Sequence, residues 1–100
     1  MSRGVVRRTE RADEDLLDIW VNIALESERA ADSVVSGILD RCDLLAEFPF
    51  LGQVREGLAA RPRHSPVGNY LVIYEPISDP KGINVLRVLH GARDIEELFR

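Results

Sequence analysis

The sequence has 100 residues, of which 45% are hydrophobic and 30% are charged, and its formal net charge is −4. This length predicts a single domain over residues 1–100 and excludes two independent lobes, while the apolar content excludes a disordered chain. No apolar run approaches the roughly 20 residues that span a bilayer, and the N-terminal residues lack the apolar stretch of a signal peptide. The single cysteine, Cys42, cannot form an intramolecular disulfide, and no cysteine or histidine cluster predicts a metal site. We therefore expect a cytoplasmic protein with no membrane partner.

The charge is divided unevenly along the chain. Residues 10–47 contain eleven acidic and three basic residues, a net charge of −8. The remainder contains six acidic and ten basic residues, a net charge of +4. The pattern fits either an acidic, solvated helical face or, in the second half, a basic surface that meets an anionic partner.

The chain begins with a short strand followed by a helix. Residues 5–9 are β-branched and basic, which predicts an edge strand. Thr9 is a suitable N-cap, and acidic residues follow it in the first turns, where the helix dipole favours them. The helix carries an apolar stripe at three- and four-residue steps, which Leu17 and Val21 widen: Ala12, Leu16, Ile19, Trp20 and Ile23.

A second helix follows after a gap of only a few residues. Ser27 is its predicted N-cap, and Pro49 with the nearby Gly52 ends it. Its apolar stripe consists of Ala31, Val35, Ile38, Cys42 and Leu45. The short connection predicts that the two helices form an antiparallel hairpin.

The second half changes to the period of β-strands. Residues 48–61 are predicted to be a loop. Residues 61–67 contain two prolines, which restricts them to an edge or irregular strand. Gly68 and Asn69 then predict a turn.

Two apolar strands complete the predicted sheet. The first covers residues 70–74 and ends in a tyrosine, and a turn is predicted over 78–82. The second, over 83–89, is the most apolar, which favours a central position in the sheet. Residues 94–99 are predicted to form a short final turn or helix.

This order of elements predicts an α+β domain, in which an N-terminal strand precedes an antiparallel helical hairpin packed on a small antiparallel β-sheet. Trp20 is expected to pack between helix and sheet. Arg87, within an apolar strand, is either a structural arginine paired with an acid or part of a basic working face. The predicted core residues are Leu16, Trp20, Ile38, Leu45, Tyr74 and Val88.

Several motifs together resemble the RelE/ParE toxin superfamily. Residues 68–75 read G-N-Y-L-V-I-Y-E and residues 83–94 read I-N-V-L-R-V-L-H-G-A-R-D, like the tyrosine strand and the "R-V-L-H-x-x-R-D" strand of that family. The first helix has matching spacing at Ala12, Asp15-Leu16 and Ile19-Trp20, and residues 49–52 match the family's "P-x-x-G". The resemblance covers nearly the whole chain.

The resemblance implies a small toxin of a type II toxin–antitoxin module, bound and neutralised by a cognate, ParD-like antitoxin in a hetero-oligomer. It leaves two targets open. RelE-like members cut mRNA in the ribosome, whereas ParE-like members poison DNA gyrase and meet nucleic acid only indirectly.

The residues at the family's catalytic positions bear on this choice. RelE-like enzymes carry an arginine after the tyrosine of the third strand and a C-terminal tyrosine, where this chain has Leu71 and Phe99. Leu71 cannot hold a phosphate, and Phe99 lacks the hydroxyl. The arginine after the last strand is retained as Arg93. An arginine elsewhere in the sheet is a poor general base because it is always protonated.

We therefore predict a ParE-like gyrase inhibitor that is not an enzyme and uses no cofactor. Its predicted target-binding residues are Arg61, Arg63, Arg87, Arg93 and Phe99. The first alternative is a ribosome-dependent endoribonuclease that uses Arg63, His90 and Arg93. Another is a degenerate member that only binds its antitoxin.

Overall fold

The computed structural model describes residues 4–54 and 62–91. In this part of the chain, two helices pack on one face of a five-stranded sheet with the strand order β1-β5-β4-β3-β2. The helices are α1 (Glu10–Ala24) and α2 (Glu28–Glu47). The strands are β1 (Val5–Arg8), β2 (Gln53–Val54), β3 (Arg63–Val67), β4 (Tyr70–Ser78) and β5 (Lys81–His90). The α+β fold and the helical hairpin are as predicted.

Both predicted helix caps are present. The Thr9 hydroxyl oxygen accepts a hydrogen bond from the Ala12 N–H at 3.0 Å, and that of Ser27 accepts one from the Ala30 N–H at 3.1 Å. Each bond satisfies one of the N–H groups that a helix leaves unpaired in its first turn. Since α2 ends at Glu47, the predicted stop before Pro49 is also confirmed.

The sheet is mixed, whereas the sequence predicted an antiparallel one. Strand β1 pairs in parallel with β5, and the other neighbours are antiparallel. No local pattern reveals this direction, because the helical hairpin and three strands separate the two partners in the chain. As a result β5 is an interior strand, while β4 is the middle one.

The strand boundaries also differ from the prediction. A short β2 lies within the predicted loop over 48–61, and β4 continues to Ser78. The second turn is therefore only Asp79 and Pro80, and β5 begins at Lys81. The predicted turn at Gly68 is confirmed, and its φ of 57° is in the region that favours glycine. The predicted final element over 94–99 lies outside the described residues.

The main core lies between the helices and the sheet. Ile38, Leu45, Tyr74 and Val88 are buried there, with Leu16 packed against them. The prediction that Trp20 is a core residue is wrong, because its side chain is only partly buried. Its indole N–H donates to the Asp32 carboxylate at 2.8 Å. It thus links α1 to α2 at the surface, where its polar N–H has a partner.

Two further residues of the predicted α1 stripe are not core residues. Leu17 is 62% exposed and Val21 is 45% exposed. A helix buries only one face against the sheet. At about 100° per residue, Leu17 and Val21 lie roughly 140° and 180° around the helix from the buried Ala12, and therefore on the side that faces away from the sheet.

Cys42 lies in this core with 1% of its surface exposed. Burial raises the pKa of its thiol from 9.0 to about 11. We expect little reaction with a disulfide reagent at about pH 8, because the thiolate fraction is roughly one in a thousand there. Unfolding in concentrated guanidinium chloride should restore fast reaction. Equal rates for the native and the unfolded chain would contradict this burial.

Candidate functional site

The turn after α2 is held by one tyrosine hydroxyl. Tyr74 is fully buried on β4, and its hydroxyl donates to the Pro49 carbonyl at 2.8 Å and accepts from the Gly52 N–H at 2.8 Å. Burial raises the pKa of the Tyr74 phenol, which keeps this donor protonated. The P-x-x-G turn and the tyrosine at the end of the strand motif, both noted in the sequence, are therefore parts of one contact.

Arg63 on β3 fastens the same turn. Its guanidinium donates to the Gly52 carbonyl at 2.6 Å and to the Phe50 carbonyl at 3.3 Å. The guanidinium carbon also lies 5.0 Å from the centre of the Phe50 ring, within range of a cation–π interaction. Arg63 thus has a structural role in addition to the predicted target-binding one.

This turn presents apolar side chains to solvent beside a groove of about 950 Å³. Phe48, Phe50 and Leu51 are 53%, 71% and 58% exposed. Charged residues of both signs line the same groove: Glu47, Arg63 and Lys81. Such a surface can bind an apolar polypeptide segment. The sequence pattern did not predict this groove, although three large apolar residues within four positions of a predicted loop could have indicated it.

A second constellation joins α1 to β5. Arg87 donates to both oxygens of the Asp15 carboxylate, from Nε at 2.8 Å and from Nη2 at 3.1 Å. The Val88 N–H donates to the same carboxylate at 3.0 Å. Asp15 is only 9% exposed. This is the paired, structural arrangement that was one of the two readings of Arg87.

The same carboxylate protects an edge of the sheet. Because β1 ends at Arg8, β5 continues beyond its parallel partner. There the Thr9 hydroxyl donates to the Leu86 carbonyl at 2.8 Å, and Asp15 binds the Val88 N–H. The start of α1 thus satisfies backbone groups that β1 does not reach. An acid on the apolar face of the first helix is the signal that could have identified Asp15.

Two of the three predicted ribonuclease residues, Arg63 and His90, lie apart on the described sheet, and the third, Arg93, lies outside the described residues. In the register of the sheet, Arg63 on β3 lies opposite Tyr74 of β4, and His90 on β5 lies opposite Tyr70 of β4. Arg63 and His90 are therefore separated by four residues along the strand direction, roughly 13 Å, and by two strand spacings across the sheet, roughly 10 Å. The His90 ring makes an edge contact with Tyr70, with ring centres 5.6 Å apart. Leu71 packs in a small cluster on the sheet face with Ile73, Leu86 and Leu89. Among residues 4–54 and 62–91 there is no group of side chains arranged to hold a metal ion.

Three predicted target-binding residues, Arg61, Arg93 and Phe99, lie outside the described residues. No helix within the described ranges is long and apolar enough to cross a bilayer.

The sequence profile described as "ParE toxin of type II toxin-antitoxin system, parDE" matches residues 6–95. The chain belongs to the ParE toxin family. A search of curated proteins finds no match to the chain.

Two solved structures have the same fold. The chromosomal ParDE toxin–antitoxin system of P. aeruginosa aligns with a TM-score of 0.72 and 18% identity, over 89% of this chain and 97% of that one. The toxin–antitoxin complex RelBE2 of Mycobacterium tuberculosis aligns with a TM-score of 0.54 and 24% identity, over 89% and 99%. At these identities the likeness concerns the fold, which two branches of the superfamily share.

Proposed function

We propose that this ParE-family toxin inhibits DNA gyrase in the cytoplasm and that a cognate, ParD-like antitoxin neutralises it. It acts by binding, without catalysis, so that gyrase is held with its DNA cleaved. The family match supports the toxin role, and the arrangement of the sheet supports the choice of target.

The choice of gyrase as the target depends on one observation. In the described part of the sheet, no general base lies close to arginines that could bind a phosphate. A ribonuclease must remove a proton from the attacking 2′-hydroxyl and stabilise the charged phosphate within a few ångströms. Here Leu71 packs among apolar side chains, and Arg63 and His90 are far apart in the strand register. Arg87 is engaged by Asp15.

Target binding is assigned to the basic residues of the sheet half and to the C-terminal region, as the sequence predicted: Arg61, Arg63, Arg87, Arg93 and Phe99. Among these, Arg61, Arg93 and Phe99 are the ones to substitute first. Arg63 and Arg87 also hold the fold, so their loss would affect stability and activity together.

The purified toxin should inhibit supercoiling of relaxed plasmid by gyrase and increase the amount of linear, cleaved DNA. Prior incubation with the antitoxin should abolish both effects. In a translating extract, the same protein should leave mRNA intact. Codon-positioned mRNA cuts with undamaged DNA would overturn the proposal in favour of a ribonuclease, and no effect in either assay would favour a member that only binds antitoxin.

His90 provides a matched variant for the same experiment. We expect His90→Gln to inhibit gyrase within about twofold of the wild-type chain, because glutamine keeps hydrogen-bonding capacity but cannot act as a general base. A general base normally contributes at least about a hundredfold to the rate. Loss of toxicity of that size in His90→Gln, with unchanged stability, would therefore indicate proton transfer.

A further inference from the structure

A pocket of about 370 Å³ lies where α2 meets the outer strands of the sheet. Its volume is within the range of about 300 to 1,000 Å³ that is usual for small-molecule sites. The polar side chains that line it are those of Arg41 on α2, Gln53 on β2, and His64 and Ser65 on β3. None of the described residues around the pocket is acidic. In the described part of the chain, the pocket thus combines a permanent positive charge with neutral polar groups and no negative charge.

The Arg41 guanidinium is fixed at this edge of the sheet through one of its nitrogens. Nη1 donates to the Ser65 hydroxyl oxygen at 2.9 Å and to the Pro66 carbonyl at 3.0 Å. Both acceptors are uncharged, and Arg41 forms no ion pair with a described residue. The nearby acids of α2, Asp40 and Asp43, are exposed. The hydrogens on Nε and Nη2 therefore remain available, and that edge of a guanidinium matches two oxygens of a bound anion.

Two further donors at the pocket have no acceptor in the described part of the chain. Ser65 is only 6% exposed, and its hydroxyl oxygen accepts from Arg41, while its hydroxyl hydrogen meets no acceptor among the described residues. Gln53 is exposed, and its side-chain amide makes no hydrogen bond with a described residue. Because a buried donor without an acceptor costs free energy, a ligand with oxygen atoms is favoured at Ser65.

One wall of the pocket is apolar. It is formed by Leu51, Pro66 and Leu71. Contact with this wall removes apolar area from water, and a small inorganic ion cannot make such a contact. The pocket therefore suits an anion that also carries an apolar group.

The charge and the number of donors favour a carboxylate over a phosphate. A phosphate monoester has a charge near −2, whereas Arg41 is the single permanent cation among the described residues of the pocket and α2 belongs to the segment with a net charge of −8. A carboxylate is a monoanion with about four acceptor sites. These match two donors of Arg41, one of Ser65 and one of Gln53.

We propose that this pocket binds a small monocarboxylate that carries an apolar group. Arg41, Ser65 and Gln53 bind the carboxylate oxygens, and the apolar wall contacts the remainder of the ligand. None of these residues is among those proposed to bind gyrase. The inference therefore goes beyond the proposed function, and its test does not depend on gyrase or on an antitoxin.

Titration of the purified chain with phenylacetate, followed by NMR of the backbone amides, tests the site. We expect one-to-one binding with a Kd of about 1 mM or below, and the largest shifts at the N–H groups of Gly52, Gln53 and Ser65. Phenylacetamide has the same shape without the charge, and acetate lacks the ring, so each should bind at least about tenfold more weakly. Absence of saturation, affinity of either compound equal to that of phenylacetate, or the largest shifts outside the pocket would overturn the proposal.

A matched pair of arginine variants tests the cation. Arg41→Gln should weaken phenylacetate binding by at least about tenfold, because it removes the charged, two-pronged contact. Arg29→Gln makes the same change at an exposed position of the same helix, about 18 Å along its axis from Arg41. It should bind within about twofold of the wild-type chain, because solvent and salt screen its charge. Equal losses in both variants would show that only net charge matters and would overturn the site.

Gln53→Glu tests the pocket without removing the bonds that Arg41 makes to β3. Gln53 is exposed, so glutamate should leave the melting temperature unchanged. Its negative charge should weaken phenylacetate binding by at least about tenfold, because like charges repel at short range. A Gln53→Glu variant that binds phenylacetate like the wild-type chain would overturn the proposal even if Arg41→Gln fails to fold.

A tripeptide that ends in phenylalanine with a free carboxylate distinguishes two sources of such a ligand. It should bind no more tightly than phenylacetate, because the pocket has room only for a small molecule. An affinity about tenfold higher would assign the pocket to the end of a polypeptide and overturn the assignment to a free small acid.

Discussion

Substitution of Asp15 by alanine is expected to lower the free energy of unfolding by about 3 kcal/mol. The carboxylate receives two hydrogen bonds from the Arg87 guanidinium and one from the Val88 N–H. Its removal leaves the partly buried Arg87 guanidinium and the buried Val88 N–H without this acceptor. Leaving a buried donor without its acceptor costs more free energy than the hydrogen bond itself contributed. Urea unfolding followed by circular dichroism measures the change.

Asp13→Ala is the matched control, because Asp13 is an aspartate on the same helix with an arginine partner. Its bond to Arg8 is 2.7 Å long, but the two side chains are 58% and 40% exposed. Water already solvates such a pair, so the loss should be below about 1 kcal/mol. Similar losses for both variants would mean that the Asp15 contact is no more important than a surface ion pair.

The position of Arg87 makes its own substitution informative. We expect Arg87→Gln to lose stability, because the side chain anchors β5 to α1. It should also lose gyrase inhibition at a temperature where it is fully folded, because Arg87 is one of the proposed target-binding residues. Full inhibition by the folded variant would leave Arg87 with a structural role alone.

The second large effect is expected at Gly52. An added Cβ would lie 2.5 Å from the Tyr74 hydroxyl and 2.8 Å from the His64 carbonyl oxygen. Neither group can move freely, because one belongs to a fully buried side chain and the other to a strand. Gly52→Ala should therefore cost about 2 to 3 kcal/mol through overpacking and displacement of the turn.

Gly37→Ala makes the same substitution where there is space. Gly37 lies within α2, and nothing would come within 4 Å of its added Cβ. Alanine should stabilise the chain there by about 0.5 to 1 kcal/mol, because glycine loses more backbone freedom in a helix. Thermal unfolding should show a lower melting temperature for Gly52→Ala and a higher one for Gly37→Ala. A Gly52→Ala variant as stable as the wild-type chain would show that the Tyr74 hydroxyl and the His64 carbonyl do not restrict position 52.

The sequence predicted those features that depend on neighbouring residues. Helix caps at Thr9 and Ser27 need only a hydroxyl three residues before an N–H, so they can be recognised locally. The turn at Gly68 likewise depends on one residue that tolerates a positive φ. The quoted motifs also identified the toxin superfamily, which the family profile confirmed over residues 6–95.

The candidate site was predicted only in part. Arg63 and Arg87 were selected as basic residues of the sheet, and the structure shows that both also hold the fold. The groove beside Phe50 and the exposure of Leu17 and Val21 were not anticipated, because exposure depends on how the whole helix and turn are oriented. A hydrophobic residue in a sequence pattern does not specify whether it faces the sheet or the solvent.

By itself, the sequence of this chain determined where its helices begin and end, which class of domain they form and to which superfamily it belongs. Only the tertiary structure decided that β1 runs parallel to β5, that Asp15 is the partner of Arg87, and that Tyr74 closes the turn at Gly52. Asp15 and Arg87 are 72 residues apart and Gly52 and Tyr74 are 22 apart. Local periodicity carries no information about such pairs, because they meet only after the hairpin has packed on the sheet and buried groups have found their hydrogen-bond partners.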